Sequence, residues 1–254
     1  MSHLKSKTAV ITGASRGIGA ATARHFAAEG ANVVLAARTT AEIEAIAEEI
    51  RGAGGAAAAI ACDVSRYEDV EAVMALADTA FGGVDFLINN AGVIDPISHL
   101  ETSDPDGWAQ AIDINVKGVY YGLRAALPRM KAAGAAVVVN ISSGAATSAL
   151  EGWSHYNASK AAVLSITRTA DKELGDSPVR SVGLYPGTVA TEMQVLIKAS
   201  GINPVSQLDP SVHIPTDWPA RAIGWLCGPD AAEYRGDDVS LRDEDIRRRV
   251  GLID

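Results

Sequence analysis

Tyr156 and Lys160 stand four residues apart in Gly152–Ala161 (GWSHYNASKA), and Tyr156 follows Ser143 by thirteen. On a helix, residues four apart share one face. An ammonium beside a phenol favours the phenolate and lowers a tyrosine pKa that is ordinarily about 10. Such a tyrosine can give or take a proton near neutral pH, as alcohol oxidation or carbonyl reduction requires. The same spacing also describes an exposed pair on a solvated helix. The pair therefore gains meaning only if the chain also supplies a hydride carrier.

Thr12–Gly19 (TGASRGIG) is the segment that could hold one. It follows a short apolar run and opens an amphipathic one. Gly13 permits a tight turn, Gly17 lets the backbone approach a phosphate, and Gly19 allows close helix packing. A helix starting there offers free amides and a positive dipole end to a pyrophosphate. The spacing is Gly-x-x-x-Gly-x-Gly rather than the usual dinucleotide fingerprint, and a glycine turn can also be purely structural.

The end of the second apolar run bears on cofactor type. An NAD-preferring fold places an acid there, to bond the ribose 2′-hydroxyl. Here the run ends Leu35-Ala36-Ala37-Arg38, with no acid, and Arg16 sits inside the glycine turn. Two guanidiniums favour a 2′-phosphate, so NADP(H) is expected to be preferred, with NAD(H) possible. Arg38 could instead simply cap a strand end. Asp63, after the third run, could bond the adenine amine or cap the next helix.

These residues need a scaffold, and the chain alternates apolar runs with amphipathic stretches throughout. Strands are predicted at Thr8–Ile11, Asn32–Ala37, Ala56–Ala61, Phe86–Asn89, Ala136–Ile141 and Val179–Leu184, with a short one near Val239–Leu241. Helices are predicted at Gly17–Glu29, Thr40–Arg51 (with Thr39 and Glu42 spaced as a capping box), Tyr67–Phe81, Trp108–Lys131, Ser154–Leu174 and near Trp218–Leu226. Such alternation implies an α/β fold of the Rossmann type, doubly wound, with a mostly seven-stranded parallel sheet and helices on both faces. No linker or repeat divides residues 1–254, so one domain is expected. Val189–Thr216 breaks the pattern, being rich in Pro, Ser and Gly, and suits a lid over a pocket.

Composition narrows the class. The 254 residues are 48% hydrophobic and 21% charged, as in a globular protein with a sizeable core. A net charge of -9 argues against nucleic acid as a partner. No apolar run is long enough to span a membrane, and no signal peptide is evident. Cys62 and Cys227 lack metal-ligand spacing, a disulfide is not expected, and a cytoplasmic location is the simplest reading. His25, His99 and His213 form no metal motif, so no metal is expected. The charged run Arg242–Arg249 (RDEDIRRR) reads as a solvated face.

Taken in order, Thr12–Gly19, Asp63-Val64, Asn89-Asn90-Ala91-Gly92, Asn115, Ser143, Tyr156-x-x-x-Lys160 and Pro186-Gly187 with Thr188 and Thr191 resemble the short-chain dehydrogenase/reductases, in their single-domain form of about 250 residues. The match runs from Lys7 to about Thr191. The resemblance implies that Tyr156 is the acid/base, that Ser143 holds the substrate oxygen, and that Lys160 tunes the tyrosine and bonds the nicotinamide ribose. It implies that Asn115 anchors a water linking Lys160 to solvent. It places Gly13, Ser15, Arg16, Gly17, Ile18 and Gly19 around the phosphates, and Arg38, Asp63 and Val64 around the adenosine. Asn90, Ala91 and Gly92, then Pro186, Gly187, Thr188, Val189 and Thr191, complete the cofactor site. Strand alternation turns Ser142 away from Ser143.

Trp153 could line the substrate pocket or simply be packed, His155 could be structural or pocket-lining, and the apolar stretch Met193–Ile197 could meet substrate or the protein itself. The expected substrate is a small-molecule carbonyl or alcohol. A 3-oxoacyl-(acyl-carrier-protein) reductase is the alternative, although the stretches that would meet an acidic carrier, Ala132–Ala136 (AAGAA) and Gly175-Asp176-Ser177, carry no base, with only Lys131 and Arg180 nearby. A non-catalytic NADP-binding regulator is a further reading. The tail Tyr234–Leu241 (YRGDDVSL) departs from the family's Val-Asp-Gly-Gly-like ending, which in many relatives packs across subunits. A homotetramer is expected, with a dimer as fallback, through the helices Trp108–Lys131 and Ser154–Leu174.

Overall fold

The structure is a computed structural model describing residues 3–254. Seven parallel strands form one sheet in the order β3-β2-β1-β4-β5-β6-β7. They are β1 (Thr8–Thr12), β2 (Asn32–Ala37), β3 (Ala56–Ala61), β4 (Phe86–Asn89), β5 (Ala136–Ile141), β6 (Val179–Tyr185) and β7 (Asp238–Ser240). The order reverses at β1, where β2 lies on one side and β4 on the other. In a sheet of this kind the crevice beyond the strand ends at that reversal is where ligands bind.

Strand alternation divides the core between the two faces. Ala9 and Ile11 of β1 join one apolar cluster with α1 (Gly17–Ala28), α2 (Thr40–Gly52) and the later helices α8 (Asp217–Leu226) and α9 (Glu244–Val250). Val10 joins the other, with α3 (Tyr67–Phe81), α5 (Gly118–Ala133) and α6 (Ser154–Leu174). Both faces are covered, which is why the strands read as unbroken apolar runs.

Three regions gain detail that spacing does not supply. The helical region expected over Trp108–Lys131 is helical throughout, as α4 (Pro105–Ile112), a π turn at Asp113–Lys117, and α5. Thr39 does occupy the N-cap of α2, but its side chain makes no capping bond. The charged run Arg242–Arg249 is a largely exposed face, as expected, carried on α9, which is capped by the Asp243 carboxylate at the amide of Asp245 and buries only Ile246. The guanidiniums of Arg247 and Arg249 lie 5.4 and 5.5 Å from the ring centres of Trp218 and Trp225, a contact that cations make favourably with aromatic faces.

The segment 189–216 is an ordered excursion. Its base is closed by a parallel bridge between Val189 and Ile214, and it carries α7 (Glu192–Ser200) and two short 3₁₀ turns. Asn203 fastens it to the body by donating to the carbonyl of Glu151 at 2.9 Å.

Candidate active site

The glycine turn between β1 and α1 is built as its spacing requires. Gly13 and Gly17 have φ of +62° and +57°, in the left-handed region that favours glycine. A Cβ on Gly19 would lie 2.4 Å from the carbonyl oxygen of Gly13, so Gly19 packs the helix against the turn rather than lining the cleft. Asn90, at the end of β4, donates to the carbonyls of Thr12 and Gly13 at 2.9 and 3.0 Å and so pins the turn to the sheet. No side chain caps α1 and its first turn holds no acid. Its amides are therefore open to an anion, and a pyrophosphate fits them.

A cleft of about 1580 Å³ runs from this turn across the strand ends. It brings together every residue expected at the site except two, Gly19 and Asn115, which stand behind its wall. At one end, Arg38 is exposed and Asp63 lies near enough to feel its charge. Burial pushes the Asp63 carboxyl up, but bonds from Ser65 and the charges of Arg38 and Arg66 outweigh it and hold the carboxyl below its usual range. Asp63 is not the cap of α3, whose N-cap is Arg66. Its carboxylate instead accepts from the Ser65 amide and hydroxyl at 3.0 and 2.7 Å. Arg16 is engaged by Glu192 of α7, so of the two arginines expected around a 2′-phosphate only Arg38 is free of a carboxylate bond among the described residues.

At the other end, Tyr156 and Lys160 are buried on one face of α6, with the ammonium 5.5 Å from the centre of the phenol ring. Burial pushes the phenol up to about 12, against the opposing pull of its hydrogen-bonding neighbour Ser143. The lowering expected from Lys160 is not found: desolvation dominates, and the groups acting on the phenol are Ser143 and Tyr185 rather than Lys160. Lys160 is itself pulled down to about 8 by burial, with the charge of Asp238 acting the other way. Its ammonium donates to the Ile141 carbonyl at 2.7 Å.

Asn115 lies in the π turn. Its carboxamide accepts from the Val93 amide at 2.8 Å and donates to the Val93 carbonyl and Ser159 hydroxyl at 2.9 and 3.1 Å. Between Asn115 and Lys160 sits Gly92. A Cβ there would lie 3.4 Å from Asn115 Oδ1 and 3.8 Å from Lys160 Nζ, so the missing side chain leaves space touching both.

An apolar wall surrounds Tyr156. Ile94, Ala145, Trp153 and Ile197 are buried with it, and Leu150, Met193 and Val205 pack against them. Trp153 stands edge-on to the Tyr156 ring, with centroids 5.6 Å apart, so it is both packed and cleft-lining. The stretch Met193–Ile197 likewise divides, since Ile197 is buried while Val195 and Leu196 are exposed at the rim. His155 is structural, its Nε2 lying 2.7 Å from the Ile94 carbonyl oxygen. Ile94, Glu192 and the carbonyl of Ile141 were not foreseen. Each acts through tertiary approach or main-chain atoms, which residue type does not announce.

Comparison with known proteins agrees with this geometry. Residues 7–200 match the family described as short chain dehydrogenase. The chain is 40% identical to 3beta-hydroxysteroid dehydrogenase 1 of Eggerthella lenta, over 92% of this chain and 91% of that one. It is 39% identical to trans-4-hydroxycyclohexanecarboxylate dehydrogenase of Sinomonas cyclohexanicum, covering 77% of each. It is 29% identical to cyclohexanol dehydrogenase of an Acinetobacter species, covering 91% of each. Among solved structures, the 3-ketoacyl-(acyl-carrier-protein) reductase from Brucella melitensis, complexed with NADH, superposes with a TM-score of 0.84 at 32% identity, covering 94% of this chain and 97% of that one. The chain belongs to the short chain dehydrogenase family, and is an oxidoreductase of that class.

Proposed function

We propose that this protein interconverts an apolar, cyclic secondary alcohol and its ketone with NADP(H) as preferred cofactor and Tyr156 as the proton donor and acceptor. The observation that carries this reading is the apolar wall of Ile94, Trp153 and Ile197 closed around Tyr156 at the inner end of a cleft whose outer end carries Arg38. Three relatives named above are dehydrogenases of alicyclic alcohols, which supports the substrate class. The nicotinamide cofactor, when bound, supplies or accepts the hydride. Ser143 positions the substrate oxygen, Tyr156 moves the proton, and Lys160 contributes its charge and a bond to the ribose. Gly13 through Gly19 hold the phosphates, with Asn90 bracing the turn. Pro186 to Thr191 border the nicotinamide.

The acyl-carrier-protein reading is disfavoured by Arg180. It is buried and donates to the carbonyls of Leu226 and Gly228, so it is not available to an acidic carrier. We further infer that the chain acts as one domain within a cytoplasmic homo-oligomer, tetramer ahead of dimer, through α5 and α6. The half-exposed Tyr120 on α5 and two free thiols are in keeping with this.

The test is NADPH consumption with cyclohexanone and a 3-ketosteroid. Tyr156→Phe should lower kcat by about 10²–10⁴-fold, the usual weight of general acid–base catalysis. Wild-type rates no better than the mutant's on cyclic ketones would sink the reading. For the cofactor, NADPH should bind more tightly than NADH, and Arg38→Asp should weaken NADPH binding by about 1.5–3 kcal/mol. Equal affinities in the wild type would remove the 2′-phosphate argument.

A further inference from the structure

The unusual tail brings a carboxylate behind the catalytic pair. Asp238 opens β7 and pairs in register with Gly183 of β6. A Cβ on Gly183 would lie 2.6 Å from Asp238 Oδ1, so the glycine is the notch that admits the carboxylate. Asp238 Oδ2 accepts from the buried Ser142 hydroxyl at 2.8 Å, whereas Oδ1 is buried without a hydrogen-bond partner. Ser142 sits between Ile141, whose carbonyl receives Lys160, and Ser143. The charged groups facing Asp238 are Lys160 and Arg168 from α6 and Asp237 from its own segment.

We propose that Asp238 is a positioning residue for Lys160: its buried carboxylate, held by Ser142 in the notch at Gly183, keeps the buried Lys160 ammonium charged. A buried carboxylate oxygen left without a hydrogen-bond donor is costly unless a nearby cation compensates it. The ammonium has the converse need, because burial alone drives it toward neutrality. The charge of Asp238 opposes the burial-driven fall of the Lys160 pKa; burial holds the Asp238 carboxyl above its usual range, and the Ser142 bond and then the Lys160 charge partly offset that rise. A residue that merely plugged the sheet edge would have no need of charge.

The inference rests on the role proposed for Lys160, and its test separates the two. In the full chain labelled with ¹⁵N/¹³C-lysine, the Lys160 signal, assigned with Lys160→Arg, is titrated by NMR in wild type, Asp238→Asn and Asp238→Thr. Both substitutions keep an oxygen for Ser142 to meet and remove the charge, and the smaller threonine serves if the amide does not fold. The Lys160 midpoint should move down by about one pH unit in either, as for loss of a nearby opposite charge. The alkaline limb of kcat/KM for cyclohexanone reduction should move in the same direction. An unmoved midpoint, even with a lowered Tm, overturns the proposal. A moved midpoint without turnover of any cyclic ketone would overturn the substrate reading instead and leave this one standing.

Discussion

At the scale of single residues, the role proposed for Tyr156 as proton donor bears on its protonation. With its phenol pushed up to about 12 by burial, Tyr156 is an acid throughout the neutral range, the form that can protonate a carbonyl oxygen. In that role, each carbonyl reduction has to return a proton to it, and a relay through Asn115 and Lys160 would pass beside Gly92, where a Cβ would touch Asn115 Oδ1 and Lys160 Nζ. The Asn115 carboxamide is otherwise fully committed to Val93 and Ser159, so only a remaining lone pair on Oδ1 could take part in such a relay. Gly92→Ala tests this, because the added methyl group makes only ordinary van der Waals contacts and fills the space. Its kcat should fall on the order of tenfold, a part of the acid–base contribution, with Tm little changed. An unaltered kcat in steady-state assays would exclude a relay through this point.

Elements position those residues, and their legibility depends on what forms them. The strands and the glycine turn could be read because their signals are local: apolar runs bounded by glycine, and a spacing that permits a positive φ. The π turn inside the 108–131 helical region could not. It spans Asp113–Lys117 without proline or glycine, and Asn115 within it is held by Val93 and Ser159, far away in sequence. Tyr156 and Lys160 were recognised as a pair, but the state of each depends on burial, a property of the assembled core.

The same applies to a polar chain beneath the sheet that spacing does not reveal. There Asn89 donates to Asn140 at 2.8 Å, and Asn140 to Thr167 at 2.9 Å, linking β4, β5 and α6. Gly122 of α5 packs directly on it, and a Cβ there would lie 2.3 Å from Asn89 Oδ1. Gly122→Ala should therefore destabilise by about 1–3 kcal/mol through overpacking, despite alanine's better helix propensity. Thermal or denaturant unfolding will register this as a lower midpoint, and a stabilised variant would contradict the packing of α5 against β4.

For the molecule as a whole, each of the two helical layers holds a histidine that resists protonation, His155 buried and His25 half-buried. His25 on α1 and His155 on α6 both have their pKa lowered, in each case chiefly by burial. For His25 the charge of Glu29 partly offsets this, and for His155 the bond to Ile94 does. In the unfolded chain each would titrate near 6.5. Below that pH the unfolded state binds protons that the folded state refuses, so stability rises with pH across the window and is lost as pH falls from about 6.5 toward the folded pKa values. The carboxylates held below their usual range, among them Asp63 and Glu71, lose their contribution in the same direction but only nearer pH 4, so the two effects are separable. Tm should thus fall between about pH 7.5 and 5.5. His25→Gln, whatever it does to the absolute Tm, should flatten that slope, because glutamine takes up no proton when the chain unfolds. A slope identical to wild type in differential scanning calorimetry would mean that His25 is not held neutral between α1 and α8.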